Sequence, residues 1–121
     1  MKLRHEIQRK FKASFNGLKI LLTQDKSVKG HVVIASLVIV FFLWQGITLN
    51  DWMVILIVIG LVICLEMINS SIEELADFLQ PTEHEAIKRV KDVAAGAVLF
   101  ASLIALVVGI LMIIKYGGIQ L

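Results

Sequence analysis

One short stretch of the sequence concentrates the side chains that could do chemistry. It runs from residue 64 to residue 77, beginning inside an apolar run and ending among charges. On an α-helix, which turns by about 100° per residue, one narrow face carries the polar side chains Glu66, Asn69, Ser70, Glu73 and Asp77. An acid inside a bilayer costs about 2.5–3.5 kcal/mol to insert, so Glu66 indicates a functional site. The alternative, a Glu66 that only snorkels or bonds a neighbouring helix, does not explain why the polar face continues beyond it.

Depth along this helix separates the two glutamates. At about 1.5 Å per residue from Trp52, Glu66 lies about 21 Å into a hydrocarbon core of about 30 Å, and Glu73 lies about 31 Å in, at its edge. A lipid headgroup can reach the first carboxylate, whereas water, a metal ion and a soluble cosubstrate can reach the second. A shielded carboxylate is also a better base toward a hydroxyl than an exposed one. Glu73 with another acid could hold Mg²⁺, and Lys91 on the next helix could offset negative charge developing on a phosphate.

The composition indicates a membrane protein. Of the 121 residues, 58% are hydrophobic and only 18% are charged, which is far from the average of soluble domains. Three apolar runs, 32–49, 52–69 and 94–114, approach the roughly 20 residues that a membrane-spanning helix needs. The two-residue link Asn50-Asp51 predicts that the first two spans form an antiparallel hairpin. We therefore predict a single all-α integral membrane domain over residues 1–121.

The basic residues are sorted along the chain. Of the 12 lysines and arginines, eight precede the first span, three lie between the second and third spans, and Lys115 alone follows the third. The positive-inside rule then predicts that the N-terminus and residues 78–92 are cytoplasmic. This sorting suits anionic lipid headgroups or a phosphorylated ligand. Nucleic acid is disfavoured, because no soluble basic domain could present a binding patch.

Before the first span, residues 1–22 are predicted to form an amphipathic helix in the membrane interface. Its apolar side chains fall on one arc and are Leu3, Ile7, Phe11, Phe15, Leu18 and Leu22. A polar break follows, in which Asp25 suits the N-cap of the next helix. His31, at the entry to the membrane, is expected to be an interfacial hydrogen-bonding residue rather than a metal ligand.

The inner connection and the third span carry two further patterns. Pro81 stops one helix, and Thr82 followed three residues later by Glu85 resembles a capping box, so the last helix is predicted to begin near Glu83. In the third span, small residues recur every four positions, which permits close helix contact and predicts self-association. These small residues are Ala97, Ala101, Ala105 and Gly109.

Common nucleotide and zinc motifs are absent from the sequence. It contains no G-x-x-x-x-G-K-[ST], no G-x-G-x-x-G and no His/Cys cluster with zinc spacing. Spacing alone therefore indicates a small membrane enzyme or relay that acts on a polar group at the inner leaflet. A non-catalytic membrane subunit would not need the aligned acids. A proton or cation relay through Glu66 would lack a continuous path across the outer half of the membrane.

The run Glu66-Met-Ile-Asn69-Ser70-Ser-Ile72-Glu73, followed by Asp77, His84 and Lys91-Asp92-Val-Ala-Ala-Gly-Ala-Val98, resembles the prokaryotic diacylglycerol kinase family. The resemblance covers nearly the whole chain, including the N-terminal helix with Ser14. Its members are homotrimeric kinases of the bacterial cytoplasmic membrane. They transfer the γ-phosphate of ATP to a lipid alcohol at composite sites between subunits.

The resemblance implies a role for each matching residue. Glu66 would be the general base on the lipid hydroxyl, assisted by Asn69. Mg²⁺ would be bound by Glu73 together with Asp25. The implied nucleotide contacts are Asp25, Glu73, Glu83, His84, Lys91 and Asp92, and the implied lipid contacts are Ser14, Lys29, Glu66 and Asn69.

Three departures from the family pattern bear on these roles. The family usually has Glu where Asp25 stands, Phe-Arg where Val28-Lys29 stands, and Glu-Tyr-His in place of Thr82-Glu83-His84. The short N-terminus and the run 91–98 are similar to the Gram-positive branch, whose members prefer undecaprenol. The enterobacterial branch uses diacylglycerol. Undecaprenol is therefore the predicted substrate, with diacylglycerol as the alternative.

Overall fold

A computed structural model describes residues 1–117, and over this range the chain is a succession of four α-helices. They are α1 (Lys2–Gln24), α2 (Lys26–Gln45), α3 (Leu49–Leu79) and α4 (Glu85–Tyr116). Helices α2, α3 and α4 are each long and apolar enough to cross a membrane, as the three apolar runs predicted. Residues 118–121, the end of the predicted domain, lie outside the described residues.

Helix α3 is the centre of the bundle. It packs most extensively along α4 and less along α2, while α1 contacts α2. On α4, the buried side chains Val98 and Met112 flank the half-buried Ala101, Ala105 and Gly109. Part of the small-residue stripe is therefore half-buried within one chain. Self-association through this stripe stays a prediction.

Asp25 alone separates α1 from α2. Its backbone is extended (φ −95°, ψ 114°), and its Oδ1 accepts a hydrogen bond from the Val28 N–H at 3.0 Å. This geometry confirms Asp25 as the N-cap of α2, because an N-cap side chain satisfies a free N–H of the first turn. Val28 is wholly buried, so the cap anchors the first turn of α2 in the bundle.

The outer turn between α2 and α3 lies earlier than predicted. Helix α2 ends at Gln45, Gly46 adopts a left-handed conformation (φ 74°, ψ 55°), and Thr48 caps α3 by accepting from the Asp51 N–H at 3.3 Å. The predicted link at residues 50–51 and the predicted span 32–49 are thus wrong at this end. The apolar Ile47 hid the turn inside a continuous hydrophobic run, although the glycine and the threonine cap were the local signals.

The inner connection also differs from its prediction. Helix α4 begins at Glu85, and its N-cap is His84, whose Nδ1 accepts from the Ala86 N–H at 3.1 Å. The Thr82 hydroxyl instead accepts from Nε2 of Gln80 at 2.8 Å. Thr82 is therefore not the cap, and the predicted start near Glu83 is wrong, because the Thr82 side chain is engaged with the end of α3.

A polar cluster ties the outer turn to the end of α4. The Asp51 carboxylate is only 8% exposed. It accepts hydrogen bonds from Lys115 Nζ, at 2.9 Å, and from the Tyr116 hydroxyl. The Tyr116 oxygen in turn accepts from the Thr48 N–H at 3.0 Å. The start of α3 and the end of α4 are thereby joined at one buried acid.

Asp51→Asn is expected to lower the thermal unfolding midpoint in detergent by several degrees. The substitution keeps the side-chain size but removes the charge that both donors share, and hydrogen bonds to charged groups are the stronger ones. Thermal melts would be compared with those of Asn50→Ala, a change at the exposed neighbouring position. An unchanged midpoint for Asp51→Asn would show that the cluster contributes nothing measurable.

Candidate active site

The polar face of α3 passes from the interior of the bundle to the surface. Glu66 and Asn69 are each 7% exposed. Ser70 is half-buried, and Glu73 and Asp77 are exposed. One helix therefore presents a shielded carboxylate and a solvent-accessible carboxylate on the same side, as its spacing predicted. The roles of these residues stay predictions, which their geometry supports.

Glu66 has a basic partner that the sequence analysis missed. His31 on α2 places its Nε2 at 3.4 Å from Oε2 of Glu66. In residues 1–117 it is the one basic side chain within ion-pair distance of this acid. No signal in the sequence identified this contact, because it depends on how α2 packs against α3.

Asn69 bonds to the exposed glutamate of the polar face and leaves one of its own polar atoms without a partner. Its Nδ2 donates to Oε1 of Glu73 at 3.3 Å. A carboxylate only accepts, so this bond fixes the orientation of the amide. The Asn69 Oδ1 is buried and has no hydrogen-bond partner among the described residues. Because an unsatisfied buried acceptor is costly, this oxygen is suited to accept a hydrogen bond from a bound ligand.

Asp25 is held in its ionised form. Hydrogen bonds from the Ser70 hydroxyl and the Val28 N–H keep the pKa of the Asp25 carboxyl below its usual value, against a smaller opposing effect of burial. The residue thus serves as a helix cap and also places a charged carboxylate oxygen next to the polar face of α3. The two roles do not compete, because a carboxylate has several acceptor positions.

Lys91 joins α4 to the polar face of α3. It is half-buried and forms an ion pair with Asp77 across the inner connection. Asp92, the next residue, turns outward and lies 3.4 Å from Lys88 Nζ on the exposed side of α4. The two predicted nucleotide residues Lys91 and Asp92 therefore contact different helices: Lys91 contacts α3, and Asp92 contacts its own helix α4.

Four of the six predicted nucleotide residues line two adjoining open depressions at the start of α4, whereas Asp25 and Glu73 line neither. His84 and Lys88 line both of them. Arg89 and Asp92 belong to the first, and Glu83 and Lys91 belong to the second. Cationic side chains around an open concave surface suit the phosphates of a nucleotide.

Two predicted lipid contacts do not reach this site within one chain. Ser14 is exposed, and its hydroxyl donates to the Lys10 carbonyl in its own helix at 2.8 Å. Lys29 is exposed in the first turn of α2. In the described part of the chain, neither side chain makes a polar contact with α3. The structure thus connects the polar face of α3 to α4 through Asp77 and Lys91, but it does not bring Ser14 and Lys29 to that face.

The available donors suit magnesium. Asp25 and Glu73 offer carboxylate oxygens. Mg²⁺ is usually bound through one or two carboxylates plus waters and substrate phosphates. Residues 1–117 contain no group of three or more His, Cys, Asp or Glu side chains that could hold a metal.

Comparison with known proteins gives consistent matches. The sequence model of the family "Prokaryotic diacylglycerol kinase" matches residues 12–113. An undecaprenol kinase from Bacillus subtilis (strain 168) is 29% identical over 112 residues, which cover 90% of this chain and 91% of that protein. A diacylglycerol kinase from Helicobacter pylori is 31% identical over 93 residues, covering 74% and 73%. The Escherichia coli (strain K12) diacylglycerol kinase is 25% identical over 105 residues, covering 87% and 86%.

Proposed function

We propose that this chain transfers the γ-phosphate of ATP to undecaprenol. The proposal starts from the family: the chain belongs to the prokaryotic diacylglycerol kinase family and is a lipid kinase. The observation that carries this proposal is the single face of α3, which carries the buried Glu66, the buried Asn69 that donates to Glu73, and the exposed Glu73. A lipid alcohol must stay among acyl chains while ATP stays in water. A helix that carries one acid on each side of that boundary allows the two substrates to meet.

In the proposed reaction, Glu66 acts as the general base. Glu66 takes the proton of the lipid hydroxyl as that oxygen attacks the γ-phosphorus, and the bond from the γ-phosphorus to the bridging oxygen of ADP breaks. The unpartnered Oδ1 of Asn69 offers a second acceptor that orients the incoming hydroxyl. Because little covalent chemistry is left to the protein in phosphoryl transfer, positioning and charge compensation supply most of the catalysis.

The second acid belongs to the phosphate side of the site. Asp25 and Glu73 would hold Mg²⁺, which would neutralise negative charge on the phosphate oxygens. Lys91, already near this face through Asp77, adds positive charge for the transferring group. Glu83, His84 and Asp92 contact the nucleotide from the depressions at the start of α4.

The assembly we propose is a homotrimer in the bacterial cytoplasmic membrane with a cytoplasmic N-terminus. Its orientation is supported by the concentration of basic residues before α2 and in the inner connection. Sites shared between subunits are supported by Ser14 and Lys29, whose side chains make no polar contact with α3 in the described part of their own chain. In such an assembly, another copy brings these two residues to the lipid substrate.

The choice of undecaprenol is supported by the relative named undecaprenol kinase, which matches over nine tenths of this chain. The relatives named diacylglycerol kinase keep diacylglycerol as the second candidate substrate. In either case the reactive group is a hydroxyl on a long-chain lipid, so the proposed chemistry at Glu66 is the same.

A mixed-micelle assay tests the function and the substrate together. The purified protein would receive labelled ATP and Mg²⁺ with undecaprenol and diacylglycerol in parallel reactions, and a third reaction would contain a chelator. We expect labelled lipid phosphate chiefly from undecaprenol, and none with the chelator. Phosphate on diacylglycerol alone would establish the second candidate. The absence of any lipid phosphate would refute the kinase proposal and favour a non-catalytic membrane subunit.

A further inference from the structure

We propose that His31 is a positioning residue for the catalytic carboxylate of Glu66. The inference rests on the proposed function of Glu66 as the base. Nε2 of His31 lies 3.4 Å from Oε2 of Glu66. Such contacts often shorten when substrate closes a site, so this separation permits a hydrogen bond in the loaded enzyme.

The burial of Glu66 makes a partner necessary. Its side chain is 9% exposed, and an ionised group taken out of water needs compensation to stay charged. Among the described residues, His31 is the basic side chain at ion-pair distance. Contact with Oε2 leaves Oε1 of the same carboxylate available. His31 thereby selects which oxygen meets the lipid hydroxyl.

The position of His31 is itself fixed by the fold. It lies three residues after the wholly buried Val28, and Asp25 caps the first turn of the same helix. Residues three apart share a side of an α-helix, so the packing that buries Val28 also directs His31 toward α3. With 26% of its side chain exposed, the imidazole fills the space between the buried carboxylate and the surface.

A matched pair of variants tests this role. Gln and Met have similar length and volume, but only Gln can donate a hydrogen bond to Glu66. We expect His31→Met to lower kcat by about tenfold to a hundredfold, because a buried carboxylate loses its partner. We expect His31→Gln to stay within about fivefold of wild type for the same reason. The KM for ATP should change less than kcat in both, because His31 contacts Glu66 and not the residues that line the depressions at the start of α4.

The outcomes separate this inference from the proposed function. Lipid phosphorylation by the wild-type protein is measured first, and its absence would refute the kinase itself. With an active wild type, a His31→Met enzyme within twofold of wild type would overturn the positioning role. A His31→Gln enzyme as impaired as His31→Met would also overturn it, because donation would not restore activity. His5→Met, at an exposed position in α1, controls for loss of a histidine, and thermal melts in detergent check that each variant is folded.

Discussion

Replacing Glu66 by Gln is expected to lower kcat for ATP-dependent lipid phosphorylation by about 10²–10⁴-fold, the range that a general base contributes. The amide cannot accept the proton of the lipid hydroxyl, so the attacking oxygen stays protonated and weakly nucleophilic. The rate of labelled phosphate transfer in mixed micelles measures the effect. The KM for ATP is expected to change much less than kcat, because Glu66 lies at the buried end of the polar face.

The Gln substitution is well matched to this question. It preserves the volume of the side chain and an acceptor oxygen that faces His31, so packing of α2 against α3 should persist. The unfolding midpoint and the elution volume in detergent serve as controls for fold and assembly. An enzyme that kept more than about a tenth of wild-type activity would be inconsistent with general-base catalysis by Glu66.

Glu73→Gln is expected to reduce activity at a moderate Mg²⁺ concentration by about tenfold to a hundredfold. Changes around a metal site commonly have effects of this size. Gln retains an oxygen that accepts from Asn69 but lacks the negative charge that a hard cation prefers. Raising the Mg²⁺ concentration should therefore restore part of the lost rate. The measurement is a titration of activity with Mg²⁺ at saturating ATP.

Glu74→Gln is the control for this experiment. Glu74 is the next residue, is also exposed, and lies about 100° around the helix from Glu73. The control removes an equal charge at the same depth without touching the polar face. Identical Mg²⁺ dependence in the two variants would mean that only the general surface charge matters, and Glu73 would lose its role as a metal ligand.

The sequence by itself determined the features that depend on local geometry. The lengths of the apolar runs predicted the three membrane helices, since a span requires a certain number of apolar residues. The helical period predicted that Glu66, Asn69 and Glu73 share a face, because neighbours on a helix are set by its turn angle. Asp25 as a cap followed in the same way, since a cap bonds to a residue three positions away.

Local competition between signals limited the prediction of the connections. At the outer turn, Gly46 and Thr48 lie inside an apolar run. At the inner connection, Thr82 matches a capping pattern in the sequence, but in the structure its hydroxyl bonds to Gln80 instead. In both places two local arrangements were compatible with the sequence. Packing of the adjoining helices selects between such alternatives, because the turn must join their ends at a fixed separation.

Only the tertiary structure decided which distant side chains meet. His31 with Glu66, Lys91 with Asp77, and Lys115 with Asp51 are contacts between different helices. Each depends on how far one helix is shifted and rotated against another, and the periodicity of a single helix carries no information about that docking. The register is set by the summed packing of many weak apolar contacts. The sequence could therefore identify the acids of the site, whereas the partner that orients the buried one emerged only from the packed helices.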